Sequence, residues 1–185
     1  MKKLLLHSCC GPCSTHVLNE LKDKFQVTIF YSNSNIFPFE EYEKRLEEQK
    51  RYAKIIGIDV IEDNYNEKEY LDFIKGLENE KEGGKRCEKC FEFRLRQTAK
   101  KAKELGFDLF TTTLTVSPHK NSAVITAVGE KVSNEEGIEY FPGNFKKQDG
   151  YKKSVELSKK YNLYRQNYCG CRFSRWFEQE WDVFL

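Results

Sequence analysis

Short apolar runs alternate along this chain with longer stretches of helical period. Residues 3–7 and 26–31 read as buried strands, and the apolar or β-branched runs at 58–61, 107–113 and 137–141 predict three more. After the turn at 9–14, Val17, Leu18, Leu21 and Phe25 share the inward face of a helix. From Glu40, the positions Tyr42, Leu46, Ala53 and Ile56 repeat on a second helical face that stops at Gly57, a suitable C-cap. The stretch 70–77 reads as helix and 78–85, with its paired glycines, as a flexible connection. Phe91, Leu95, Ala102 and Leu105 place a helix over 87–105, and 121–132 is amphipathic. Turn formers occupy 32–38 and 117–119 and the pair Pro142-Gly143. The tail is helical again, and Phe173, Trp176, Phe177, Trp181 and Phe184 at helical spacing predict its buried face. Parallel strands need crossover connections, so strands alternating with helices of this length predict an α/β fold. The expectation is a mostly parallel sheet flanked by helices, with a helical C-terminal part, in one domain spanning 1–185.

Charge changes the picture only through its distribution. The chain has 31 basic and 29 acidic residues. Residues 31–82 carry 8 Lys/Arg against 14 Asp/Glu, whereas 85–103 hold 8 basic and 2 acidic residues and 144–175 hold 9 and 2. Positive segments of this kind suit a polyanion such as RNA, and they equally suit a solvated lysine-rich face. Only three consecutive leucines, Leu4 to Leu6, precede polar residues near the N-terminus, too few for a signal core or a membrane span, so a cytoplasmic, membrane-free protein is expected.

The candidate chemistry lies in seven cysteines. Their odd number, with no export signal, argues for ligands over disulfides. Cys87 and Cys90 stand one helical turn apart, the spacing at which two thiolates reach one metal or cluster from the same side. Cys169 and Cys171 flank a glycine that lets the backbone turn sharply. Cys9, Cys10 and Cys13 lie at the end of the first strand, where open α/β sheets bind ligands. A 4Fe-4S cluster takes four thiolates and leaves three, enough to hold a mononuclear metal with an open position. Two other readings stand beside this one. Cys10-Gly-Pro-Cys13 has the form of a thioredoxin-type thiol-disulfide motif, and the thiolates could hold structural zinc in an RNA-binding module.

Four stretches taken together, Leu5-Leu-His-Ser-Cys-Cys-Gly-Pro-Cys13, residues 31–38, Cys87-Glu-Lys-Cys90 and Leu163-Tyr-Arg-Gln-Asn-Tyr-Cys-Gly-Cys171, resemble the QueH type of epoxyqueuosine reductase. Residues 148–158 are also similar to that family's tail. The resemblance implies a HUP-like fold, architecturally related to PP-loop nucleotide-binding proteins, carrying a 4Fe-4S cluster beside a separate iron or other divalent metal. It implies reductive removal of the epoxide oxygen of epoxyqueuosine at the tRNA wobble position, with electrons from an external one-electron donor of the ferredoxin or flavodoxin kind. Some relatives place an aspartate where this chain has Cys13, so a thiolate replaces a carboxylate at the second metal. The resulting expectation assigns Cys10, Cys87, Cys90 and Cys169 to the cluster and Cys9, Cys13 and Cys171 to the metal. The glycine- and serine-rich ATP loop of the fold relatives is absent, its place taken by cysteines.

Converting an epoxide to an alkene and water takes two electrons and two protons, whereas such a cluster passes electrons singly. The expected division of labour is Lewis acidity from the second iron and electrons from the cluster. His7, Asp149 and Tyr168 are the candidate proton donors because each adjoins a cysteine motif or the polar tail. Each also has a structural role open to it: a hydrogen bond at the strand end, a helix N-cap, or packing beside the cluster. Arg165, Arg172 and Arg175 surround the Cys-Gly-Cys pair and are candidates to grip tRNA phosphates, with Tyr161, Tyr164 and Tyr168 available to stack on bases.

Overall fold

A computed structural model describes residues 1–174. Five strands, β1 (Lys3–His7), β2 (Gln26–Tyr31), β3 (Val60–Glu62), β4 (Leu109–Thr112) and β5 (Glu139–Tyr140), form one sheet in the order β3-β2-β1-β4-β5, with every pairing parallel. The crossovers are α1 (Gly11–Leu21), α2 (Phe39–Ile56), α3 (Glu67–Phe73), α4 (Lys85–Glu104) and α5 (Ser122–Glu136), and α6 (Gly150–Lys160) follows the sheet.

Side chains alternate across β1 as a period of two requires. Leu5 faces one layer with Phe91, Leu95 and Ala99 of α4 and Ile125, Val128 and Val132 of α5. Leu4 and Leu6 face the other, with Val17, Leu18 and Leu21 of α1 and Tyr52 and Ala53 of α2. Both faces of the sheet are therefore covered, which is why the strands read as continuous apolar runs.

The expected elements form, with shifted ends that have local causes. Helix α2 closes at Gly57 in the left-handed region (φ 70), as expected. The helix expected at 70–77 starts earlier, because Asn66 accepts from the Glu69 N–H and caps α3. The strand expected at 107–113 ends at Thr112, whose hydroxyl accepts from the Leu114 N–H and starts a short 3-10 turn, Thr113–Val116. Asn121 caps α5, which runs on to Gly137. Phe25 lies beyond α1 but packs on the same core. The expected aromatic face of the tail falls partly outside the described residues: Phe173 packs beside Phe93 and Cys90, while Trp176, Phe177, Trp181 and Phe184 lie beyond them.

β1 sits at the centre of the sheet. The chain leaves it toward β2 and β3 on one side and returns to β4 and β5 on the other, so the crevice beyond its carboxyl end is the topological switch point.

Candidate metal centre

The first thiol group is built at that crevice. Cys10 is the N-cap of α1 in extended conformation, and its Sγ accepts from the Cys13 N–H at 3.4 Å. Its Sγ stands 2.8 Å from that of Cys13 and 3.8 Å from that of Cys9, and all three sulfurs lie within 4.8 Å of one another. The turn is held from behind by buried polar groups. Ser8 Oγ donates to Gln49 Oε1 (2.6 Å), Gln49 Nε2 donates to Ser14 Oγ (3.1 Å), and Asn33 Nδ2 donates to the Ser8 carbonyl (2.8 Å).

The second group comes from two elements. Cys87 and Cys90 occupy the first turns of α4, where backbone N–H groups point outward and favour negative charge; the Gly83 N–H donates to Cys87 Sγ at 3.2 Å. Cys169 and Cys171 sit on a loop whose turn needs Gly170, at φ 105. That loop is tied to the 32–38 turn by the Phe37 N–H on the Gly170 carbonyl (2.7 Å), by a β-bridge between Ile36 and Cys171, and by Tyr168 Oη on the Phe37 carbonyl (2.7 Å). Arg45, buried in α2, donates from Nη1 to the Cys169 carbonyl and from Nη2 to the Tyr168 carbonyl, both at 3.1 Å, while its Nε bonds Glu41 at 2.7 Å.

Both groups open on one cavity of about 730 Å³, lined by every cysteine except Cys10. No thiol among the described residues is in a disulfide. Hydrogen bonds from Cys10 and Cys13, with Lys120 and Arg94 nearby, hold Cys9 well below the usual thiol range, while burial pushes Cys10 up to about 12. In the second group, hydrogen bonds from Cys171 and Ser174 bring Cys169 down, and the same Cys169 pairing pushes Cys171 up. Each group thus carries its first negative charge readily and resists the next, the behaviour of clustered thiols that a cation would neutralise.

The donor set fits the groups implied for it. Three sulfurs within reach of a single ion suit a mononuclear metal with an open position, and four cysteines on two facing segments suit a four-thiolate cluster. The grouping differs from the sequence expectation at two positions. Cys10, expected with the cluster thiols, stands with Cys9 and Cys13. Cys171, expected with the metal, hydrogen-bonds within the Cys169 pair and adjoins Cys90. A sharp turn around Gly170 keeps Cys169 and Cys171 together, and Cys10 has to stay with Cys13 because it caps their shared helix.

The remaining candidates separate. His7 is fully buried, bonding Thr112 Oγ1 (2.9 Å) and donating to the Ser32 carbonyl (3.1 Å); burial and then Arg94 lower its pKa to about 4, so it is neutral. It ties strands and does not line the cavity. Asp149 is exposed at the N-cap position of α6, makes no side-chain capping bond and lies off the cavity. Tyr168 lines the cavity. Arg165 is exposed at the cavity, whereas Arg172 pairs with Glu67 and stacks on Phe37. Arg175 lies outside the described residues. Arg45 and Gln49 escaped sequence reasoning, although each interrupts the buried stripe of Tyr42, Leu46, Tyr52 and Ala53, a signal that could have found them.

The family model for epoxyqueuosine reductase QueH matches residues 4–176. The chain belongs to the epoxyqueuosine reductase QueH family. Membership makes it an oxidoreductase. The QueH protein of Streptococcus pyogenes serotype M1 is 43% identical over 177 residues, covering 92% of this chain and 69% of that relative. The QueH protein of Thermotoga maritima is 37% identical over 177 residues, covering 94% and 91%. Among solved structures, a Methanocaldococcus jannaschii protein described as a predicted subunit of tRNA methyltransferase superposes with a TM-score of 0.56 at 13% identity, over 86% of this chain and 76% of that one. That likeness agrees with the α/β fold, a parallel sheet flanked by helices. Among the described residues no helix is long and apolar enough to cross a membrane.

Proposed function

We propose that the chain is a cytoplasmic epoxyqueuosine reductase that removes the epoxide oxygen of epoxyqueuosine in the tRNA wobble position, giving an alkene and water from two electrons and two protons. The observation that carries this reading is the convergence of free thiols, a group of three and a group of four, at the switch point, six of the seven lining one cavity. Cys87, Cys90, Cys169 and Cys171 would hold a 4Fe-4S cluster, and Cys9, Cys10 and Cys13 a mononuclear iron or other divalent metal. When bound, these groups supply single electrons and Lewis acidity toward an oxygen atom.

The protein's own part is binding, orientation and charge. Arg165 at the cavity rim, with Lys120 beside the three-thiol group, offers positive charge to the anticodon-loop phosphates. Of the three proton-donor candidates Tyr168 alone lines the cavity, with its hydroxyl donated to the Phe37 carbonyl, so protons would enter from solvent along the cavity. An external ferredoxin- or flavodoxin-like protein would deliver the electrons one at a time.

Anaerobic purification with metal analysis tests the reading. A brown protein with about five irons per chain is expected. Cys13→Ser should lose about one iron and keep the broad visible absorption, whereas Cys171→Ser should lose the absorption. Colourless protein holding one zinc, or iron-loaded protein that leaves epoxyqueuosine in tRNA unchanged when given a low-potential donor, overturns it.

A further inference from the structure

Among the described residues, a buried charged side chain at the cavity has no carboxylate partner. Arg94 lies one turn after Cys90 on the same face of α4 and is 4% exposed. Its Nε is buried without a hydrogen-bond partner, and among the described residues it forms no ion pair with any carboxylate. Glu92, two residues away, is engaged instead with Lys89, Arg96 and Lys131. Glu82 and Glu88 line the same cavity without pairing with Arg94.

An isolated buried cation is strongly unfavourable, so folds retain one where an anion answers it. Arg94 lines the same cavity as Cys9 and Cys13 of one thiol group and Cys87, Cys90, Cys169 and Cys171 of the other. Against burial, the acidic groups that favour its charged form are Cys90, Cys9, Tyr70 and Cys169, three of them thiols drawn from both groups.

We propose that Arg94 is a positioning residue, a fixed positive charge that balances the negative charge of the loaded centres and thereby governs their retention and the reduction potential of the four-thiolate centre. This rests on the reading of the thiols as iron ligands. Each four-thiolate centre gains negative charge on reduction, so a fixed cation nearby favours the reduced form and raises the potential. In the metal-free chain no metal centre shares that buried charge and no carboxylate among the described residues pairs with it, so the cation opposes folding there.

The test compares anaerobically loaded wild-type, Arg94→Lys and Arg94→Gln proteins by iron retention under chelator challenge and by dye-mediated redox titration, with thermal unfolding of each metal-free chain. Arg94→Gln should retain iron roughly 10- to 100-fold less tightly, the range for loss of a partner just outside the ligand shell, and titrate at a more negative potential. Arg94→Lys should stay near wild type in both. Metal-free Arg94→Gln should unfold at the wild-type temperature or above it, the opposite of what a merely structural arginine predicts. Unchanged retention and potential in Arg94→Gln, equal damage in a folded Arg94→Lys, or a metal-free Arg94→Gln that unfolds earlier or fails to fold each overturn the proposal. A wild-type chain that takes up no iron instead overturns the reading on which it rests.

Discussion

Replacing Arg45 with methionine should uncouple the Cys-Gly-Cys loop from the rest of the site. The guanidinium holds two consecutive carbonyls of that loop at 3.1 Å each and packs behind Gly170, where its Nη1 would lie 2.9 Å from a Cβ built there. A hydrogen bond to a charged group contributes about 1.5–3 kcal/mol net, so the two together contribute roughly 3–6 kcal/mol. Glu41 keeps a partner in Tyr164 Oη at 3.1 Å, and the methionine stem fills part of the space. Both soften the loss toward about 3 kcal/mol, the lower end for breaking one side of a buried pair. If that cost falls on ordering the loop, affinity for iron at the four-thiolate group drops roughly a hundredfold, since about 1.4 kcal/mol is a factor of ten. The three-thiol group, held through Gln49 and Ser8, should be spared. Chelator competition followed by visible absorption and iron counting reads both effects, and the thermal midpoint of the metal-free chain reads the loss of stability. Arg45→Lys keeps the charge without the two-pronged donor geometry and should fall between. Wild-type iron retention together with an unchanged midpoint in Arg45→Met would refute the pinning argument.

Gly170→Ala should be worse tolerated than an ordinary loop substitution. Its φ of 105 is strained for any side chain, at roughly 1–3 kcal/mol, and the methyl would crowd Ile36 Cγ1 at 2.9 Å; a lower thermal midpoint and loss of the four-thiolate absorption are expected, and neither changing would contradict this. Gln49→Leu takes one partner each from the buried Ser8 and Ser14 hydroxyls, which keep the Cys10 and Gly11 carbonyls, at about 0.5–1.5 kcal/mol per lost bond, visible as a lower urea midpoint with an unchanged slope. Glu48 accepts from Arg51, and from the Tyr164 N–H at 2.7 Å, and these bonds lower its pKa. A carboxylate depressed on folding stabilises the native state above its unfolded pKa, and that contribution disappears as pH falls through the folded one. Stability of the wild type should therefore fall from the ordinary carboxylate range downward, and Glu48→Gln should show a shallower decline in acid denaturation; parallel pH profiles would count against the assignment.

The alternation of apolar runs and helical stripes was enough to determine the strands, the crossover helices and the parallel sheet, because burial on both faces leaves a continuous apolar signature that needs no long-range information. The cysteine spacings likewise determined that a multi-thiol site exists and placed one part of it at the end of β1. The grouping of those thiols came only from tertiary structure. Cys169 and Cys171 are at least 79 residues from Cys90 in sequence, and what brings them to it is the stripe Glu41, Arg45, Glu48 and Arg51 of α2, whose side chains bond the segment 161–169. Apart from Arg45, which interrupts the apolar stripe of α2, those charges are indistinguishable in sequence from a solvated helix face, since a charge has the same spacing whether its partner is water or a carbonyl more than a hundred residues away. Arg94 was hidden for the same reason: one arginine in a basic helix reads as surface, and only the packing of α4 against the cysteine turn leaves it buried and without a carboxylate.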